Sequence, residues 1–391
     1  MAVKLFNAIS SYDFENEKAV LSHIRRGNVH KNVLINYGSL VHPEERSSNL
    51  VRALLLPWTD FGTLENLMKD NRNRDTPTKR RNNIHGMVGV ADALAWLSQM
   101  KISLPRIPTR KVQVMHCDIK PQNILVFPAP DQEDRFIFKV SDFGHAFLSM
   151  SIRRPSPRYE STYCAPEIAW GNRIVEKNSD VWPFGCVLLL VLIFTTRGYQ
   201  EITILRENLQ DNGTYDTFYE STAEPTRYRL KRPVSNWIEN LRKGALSTED
   251  INETEMTKET GKILHEYILV PDYKSRKDMA FICEKLEAAY STVHTALETN
   301  SFSDYPGLDQ YTLCTIPTKA EYICFHSNNM NRCGVFFIDT LLFQGRLPII
   351  RPMIHQPETI WARRFSLTVS TCTSSDICLV RDASQYNLVV S

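Results

Sequence analysis

The chain has 391 residues and carries 46 Lys and Arg against 44 Asp and Glu, a net charge of +2. That length supports two or three domains with a large core, and so small a charge sets up no field to gather nucleic acid or a membrane surface, so neither is expected as a partner. Nine cysteines, an odd number without a C-x-x-C pair, argue against structural zinc and a disulfide framework and for a reducing compartment, cytoplasm or nucleus. No charged-then-apolar leader is expected at the N-terminus.

In chain order, A-V-K-L-F at residues 2–6 alternates and predicts a short strand. Residues 14–21 place apolar side chains at helical spacing, and Ile24 continues the stripe. Two strands are expected at 32–41 and 49–56, joined by a polar turn at 42–48. A short helix follows at 62–70, then a longer one at 77–100 with Ile84, Val88, Ala91, Leu94, Ala95 and Leu97 on one side. Residues 101–112 read as a surface loop, and 124–126 with 136–140 as a hairpin. The longest apolar run, 181–194, is too short to span a bilayer and is interrupted by Pro183 and Gly185, so it predicts a buried helix. Helices are expected at 234–241 and 258–268. Past Asn300, β-type residues gather at 321–325, 334–342, 359–371 and 377–380, in a β-rich appendage or an irregular tail.

Chemistry concentrates at 115–144, which reads M-H-C-D-I-K-P-Q-N-I-L-V and, further on, F-I-F-K-V-S-D-F-G. His116-Cys117-Asp118, Lys120, Asn123 and Asp142-Phe143-Gly144 stand in the order and spacing of a protein-kinase catalytic loop and metal-binding turn. Phosphoryl transfer from ATP needs a carboxylate to accept the hydroxyl proton, which suits Asp118. It also needs a cation near the moving group, which suits Lys120. Magnesium takes oxygen ligands and keeps part of its water, and Asn123 and Asp142 offer two oxygens from adjoining loops. A polar surface turn can match a lone D-F-G by chance, but not six constrained positions in one window.

With these motifs stand A-V-K at 2–4, Ala165-Pro166-Glu167 and the D-V-W-P-F-G run from Asp180. From about Ala2 to Leu286 the chain resembles a eukaryotic-type protein kinase. The D-I-K-P-Q-N loop resembles the serine/threonine class, because tyrosine kinases usually carry arginine and alanine where Lys120-Pro121 stand. The resemblance implies an α+β, two-lobed fold. It has a truncated β-rich small lobe over 1–58 that lacks its first strands, a mostly helical large lobe over 59–300, and a tail of unknown type over 301–391. It implies ATP and Mg2+ as cofactors and proteins as substrates. It also implies an ATP site in which Ala2 roofs the adenine and Lys4 holds the α- and β-phosphates, with Glu17 as the lysine's partner. Leu56 would lie behind the adenine, Pro57 and Thr59 in the hinge, and Leu125 beneath. Asp180 is expected to accept from the catalytic-loop backbone, and Arg276 to pair with Glu167.

The chain departs from the family pattern at three places. Cys117 replaces the arginine that commonly holds a phosphorylated activation loop, so phosphorylation of Ser149, Ser151, Ser156 or Thr162 is not the expected on-switch. Thr162 is out of the usual register, so either the loop is shortened or a contact to the catalytic residues is lost. A glycine-rich phosphate lid should precede Lys4, and only three residues do. The strand bearing Lys4 is therefore expected to have an unpaired edge and to bind ATP weakly. The alternative function is a pseudokinase or truncated kinase serving as a binding module.

Overall fold

The computed structural model describes residues 1–6, 11–26, 29–43, 50–104, 107–111, 113–130, 132–148, 161–168, 178–210, 216–222, 227–245 and 251–294, with four short strands beyond. The strand expected at 359–371 and the serines at 149, 151 and 156 lie outside the described residues. In chain order come β1 (Ala2–Phe6), α1 (Ser11–Arg26), β2 (Gly38–Pro43), β3 (Leu50–Leu56), α2 (Leu64–Lys69) and α3 (Pro77–Gln99). Next are β4 (Lys101–Leu104), β5 (Ile107–Lys111), β6 (Val114–Met115), β7 (Ile124–Ala129), β8 (Gln132–Val140) and β9 (Phe147–Leu148). Then follow α4 (Val181–Arg197), α5 (Tyr199–Leu209), β10 (Tyr219–Ser221), β11 (Tyr228–Leu230), α6 (Arg232–Arg242), α7 (Ile251–Ile263) and α8 (Met279–His294). The tail contributes β12 (Tyr322–His326), β13 (Cys333–Phe337), β14 (Pro352–Met353) and β15 (Ile377–Leu379).

Two compact units result. The smaller comprises Met1–Ala8, Tyr37–Trp58 and Asn300–Ser391, and the larger Ile9–Asn36 and Thr59–Thr299. Helix α1 thus groups with the larger unit and the tail strands with the smaller one.

The smaller unit is built on an antiparallel sheet in the order β15-β1-β3-β2. Alternation puts Val3 on one face with Ala53 and Leu55, and Met1, Leu5 and Leu40 pack against them. β2 starts at Gly38, later than expected. The preceding residues are drawn away: Leu34 N–H donates to the Val140 carbonyl, and Val140 N–H to that of Asn32, each at 2.8 Å. The edge of β1 expected to be unpaired carries β15, with Lys4 opposite Ile377 and Ala2 opposite Leu379.

In the larger unit, Thr63 caps α2 by accepting the Asn66 N–H at 3.2 Å. Thr76 caps α3 ahead of Pro77, whose missing N–H costs nothing in a first turn. The apolar side expected for α3 is only part of its burial. Met87, Val90 and Ala93 are buried as well, because the helix lies against both β8 and α8. The span 101–112, expected as a loop, holds the β4–β5 hairpin. Every residue of α4 from Val181 to Thr196 is buried. Pro183 sits in its first turn, and Gly185 admits the π-helical turn Leu264–Ile268, since a Cβ there would lie 2.3 Å from Ile268 Cγ2. Among the described residues no helix is long and apolar enough to cross a membrane.

Candidate active site

The loop after β6 is anchored from the core. The backbone N–H groups of His116 and Cys117 donate to the two carboxylate oxygens of Asp180 at 2.7 and 2.9 Å. Burial pushes the Asp180 carboxyl above its ordinary value, against the pull of His116 and those two N–H groups. Cys117 adopts φ 61°, a left-handed conformation rare for a residue with a side chain. Its thiol is pushed up by burial and by the neighbouring Asp180 and Asp118 carboxylates. His116, fully buried, accepts the Asp118 N–H on Nδ1 at 3.3 Å and donates from Nε2 to the Ser141 carbonyl at 2.8 Å.

Asp118 is thereby presented with one oxygen engaged. Lys120 Nζ donates to its Oδ2 at 2.8 Å and Asn123 Nδ2 donates to the same atom at 2.9 Å. Asn123 Nδ2 also donates to the Asp118 carbonyl at 2.8 Å. Both partners of that amide are pure acceptors, so its nitrogen must face them and its Oδ1 points elsewhere. Among the described residues no donor reaches Asp118 Oδ1. The Asn123 carbonyl accepts the N–H and the hydroxyl of Ser141, both at 2.9 Å, which ties the neighbouring residue, Asp142, to the same loop. Asp142 has φ 64° and ψ 76°, and its Oδ1 accepts the Gly144 N–H at 3.3 Å.

The other candidates fall in both units. In the smaller one Ala2 and Lys4 are buried on β1, opposite Leu56 and Leu54, and Lys4 Nζ lies 5.1 Å from the Phe6 ring centre. Leu56 is buried at the end of β3, and Pro57 is half-buried just after it. In the larger unit Glu17 is buried on α1. Thr59 is buried and its hydroxyl donates to the Val126 carbonyl. Leu125, on β7, is buried opposite Lys139 and bridged to Thr63. Asp118, Lys120 and Asn123 come together directly, with Asp142 joined through Ser141. Thr162 spends its hydroxyl on Asp216 at 2.5 Å.

Sequence reasoning missed three contributors. Ser141 is the knot between the two loops. Asn16 joins α1 to the turn after Asp142 by bonds to the Gly144 and Ala146 carbonyls. Glu65 accepts the Arg206 guanidinium at 2.9 and 2.7 Å and the Tyr199 hydroxyl at 2.8 Å, while Arg206 also donates to Tyr163 at 3.3 Å. Burial works to raise the Glu65 carboxyl, but Arg206 and Tyr199 outweigh it and hold it below its ordinary value. Burial raises the Tyr163 hydroxyl to about 12. Only their separations of 18, 128 and 141 positions hid these pairs, for each residue type is ordinary at its own place.

No group of three or more His, Cys, Asp or Glu could hold a metal among the described residues. Asn123 Oδ1 and the Asp142 carboxylate are two hard oxygens. That set fits Mg2+, which keeps several waters and takes its remaining ligands from phosphate oxygens, and it fits softer metals poorly.

Residues 1–285, well over half of the chain, match the protein kinase domain, and the chain belongs to that family. Its α+β fold, with a small β-rich unit and a larger helical one, is the kinase fold. Among curated proteins it is 31% identical over 188 residues to the LRR receptor-like serine/threonine-protein kinase RGI5 of Arabidopsis thaliana, covering 46% of this chain and 14% of that protein. It is 33% identical over 142 residues to the G-type lectin S-receptor-like serine/threonine-protein kinase LECRK1 of Oryza sativa subsp. japonica, covering 35% and 15%. To the meiosis induction protein kinase IME2/SME1 of Saccharomyces cerevisiae it is 32% identical over 133 residues, covering 30% and 20%. The chain thus matches a fifth or less of the length of these relatives.

Proposed function

We infer that the chain is a catalytic domain that transfers the γ-phosphoryl group of Mg-ATP to serine or threonine hydroxyls of protein substrates. The observation that carries this reading is the asymmetry of Asp118: Oδ2 is held by Lys120 and Asn123, and Oδ1 is left to take a proton. The substrate oxygen bonds to the γ-phosphorus, the bond to the ADP oxygen breaks, and the hydroxyl proton passes to Asp118 Oδ1. Lys120 stands beside the carboxylate with its charge toward the transferred group. Asn123 Oδ1 and Asp142 would hold the metal, which supplies charge neutralisation at the phosphates. Lys4, Glu17, Ala2, Leu56, Pro57, Thr59 and Leu125 are assigned to the nucleotide by their family positions. The Lys120-Pro121 pair and the names of the relatives support the serine/threonine class.

The test is phosphate incorporation from Mg-ATP by the wild type, Asp118→Asn and Asp142→Asn. Positioning and electrostatics dominate this chemistry, so each variant should lose activity by orders of magnitude, about 100-fold or more. Equal residual rates in all three would favour a binding module instead. A reducing compartment, cytoplasm or nucleus, is proposed from the unpaired thiols Cys117, Cys164, Cys186 and Cys283. Fractionation that finds the chain outside both would overturn it.

A further inference from the structure

Helix α1 buries Phe14, Glu17, Val20, Leu21 and Ile24 along one stripe, and Asn16 sits half-buried at its border. Asn16 Nδ2 donates to the Gly144 carbonyl at 2.8 Å and to the Ala146 carbonyl at 3.0 Å. An amide nitrogen carries two N–H donors, so both are spent on this turn. The two acceptors lie at the end of the 3-10 turn Phe143–His145, where backbone carbonyls lack partners within the helix. The turn's local bonds are Gly144 N–H to Asp142 Oδ1 at 3.3 Å and Ala146 N–H to the Phe143 carbonyl at 3.1 Å. Both bonds lie within the turn or come from Asp142 itself, while the buried Phe143 ring rests on His116 with 5.0 Å between ring centres. The turn also lies between two carboxylates: a Cβ on Gly144 would stand 3.3 Å from Asp142 Oδ1 and 3.7 Å from Glu17 Oε2.

We propose that Asn16 is a positioning residue for the metal carboxylate: its amide pins the turn that aims Asp142 to the helix that carries Glu17. This rests on the kinase reading given above. Asn16 touches neither metal nor nucleotide and acts through the Gly144 and Ala146 carbonyls. Asn16→Asp keeps the shape, removes both donors and sets a carboxylate against two carbonyls. Asn16→Ala removes the donors without adding charge, and Asn16→Gln returns the same amide on a longer arm.

Two readouts on the full chain test this. The first is amide hydrogen exchange over residues 142–147, and the second is the magnesium concentration that half-saturates ATP binding, with melting without nucleotide as the control for folding. Removing a group that orients a metal ligand typically weakens the metal by 10–100-fold, so Asn16→Asp and Asn16→Ala should each raise the magnesium requirement about tenfold and speed exchange of the turn. Asn16→Gln should recover part of both, and Glu15→Gln, on the exposed side of the same helix, should change neither. Unchanged exchange in the Asp and Ala variants overturns the proposal. So does faster exchange with an unchanged magnesium requirement, which would make the amide purely structural. A wild type that binds no magnesium nucleotide overturns the kinase reading and the metal role together, while the exchange data still report on the Asn16 bonds.

Discussion

Cys117 and Asp142 are the two non-glycine residues with positive φ among those described, and they are held in opposite ways. The Cys117 turn is fastened from inside, by the buried carboxylate of Asp180 at the start of α4, whose residues Val181 to Thr196 are all buried. Among the bonds that hold the Asp142 turn are those of its own side chain and of one amide 128 positions earlier in the chain, and the buried Phe143 ring packs on His116. Each left-handed residue costs about 1–3 kcal/mol that its surroundings must offset. An anchor on α4 cannot be released without opening the core, whereas an anchor on α1 depends on how one amphipathic helix docks. The Asp118 loop is therefore tied to the core, and the Asp142 turn is tied in addition to helix α1.

The largest effect should come from removing the inner anchor. Asp180→Ala leaves the His116 and Cys117 N–H groups buried without an acceptor, at about 1–3 kcal/mol each. A stability loss of about 2–6 kcal/mol is expected from the urea midpoint, and a loss under about 1 kcal/mol would show that the loop is held elsewhere. Paired glycine substitutions come next. Cys117→Gly relieves the backbone and should change stability by less than about 1 kcal/mol. Asp142→Gly relieves the same conformation yet should abolish magnesium-dependent nucleotide binding. If both variants keep that binding, the two turns do not differ in role.

The smallest effect is a control outside both turns. Glu65 has a folded value below 4.5, its ordinary value, so its stabilisation is complete above that value and is lost as the pH falls through the lower, folded one. Melting followed from about pH 6 to about pH 3 should show a steeper acid loss in the wild type than in Glu65→Gln. Identical slopes would remove the Arg206 pair from the account.

Asp118, Lys120, Asn123 and Asp142 were legible as candidates because phosphoryl transfer asks for such groups within one short window, and their neighbours in sequence are their neighbours in space. Asp180 and the Glu167–Arg276 pair, bonded at 2.7 Å through both guanidinium nitrogens, were legible through the family pattern. Other features depended on partners distant in sequence. Val33 abandons its expected strand because β8 offers it Val140. Residues 101–112 read as a loop because Pro105 and Pro108 masked a hairpin signal. Asn16 looked like any exposed helix residue until the turn after Asp142 supplied two carbonyls.

Helix α4 has no polar side to show to water, and its residue Gly185 lies against Ile268. During synthesis that partner emerges about 80 residues later, which at about 5–20 residues per second is a wait of roughly 4–16 s. Until then α3, made earlier, can cover only one side of α4, and the side that Ile268 and Leu269 will cover stays open. Premature association with another nascent chain, or capture by a holding chaperone, is the hazard this places on biogenesis, and it falls hardest where translation pauses between α4 and α7.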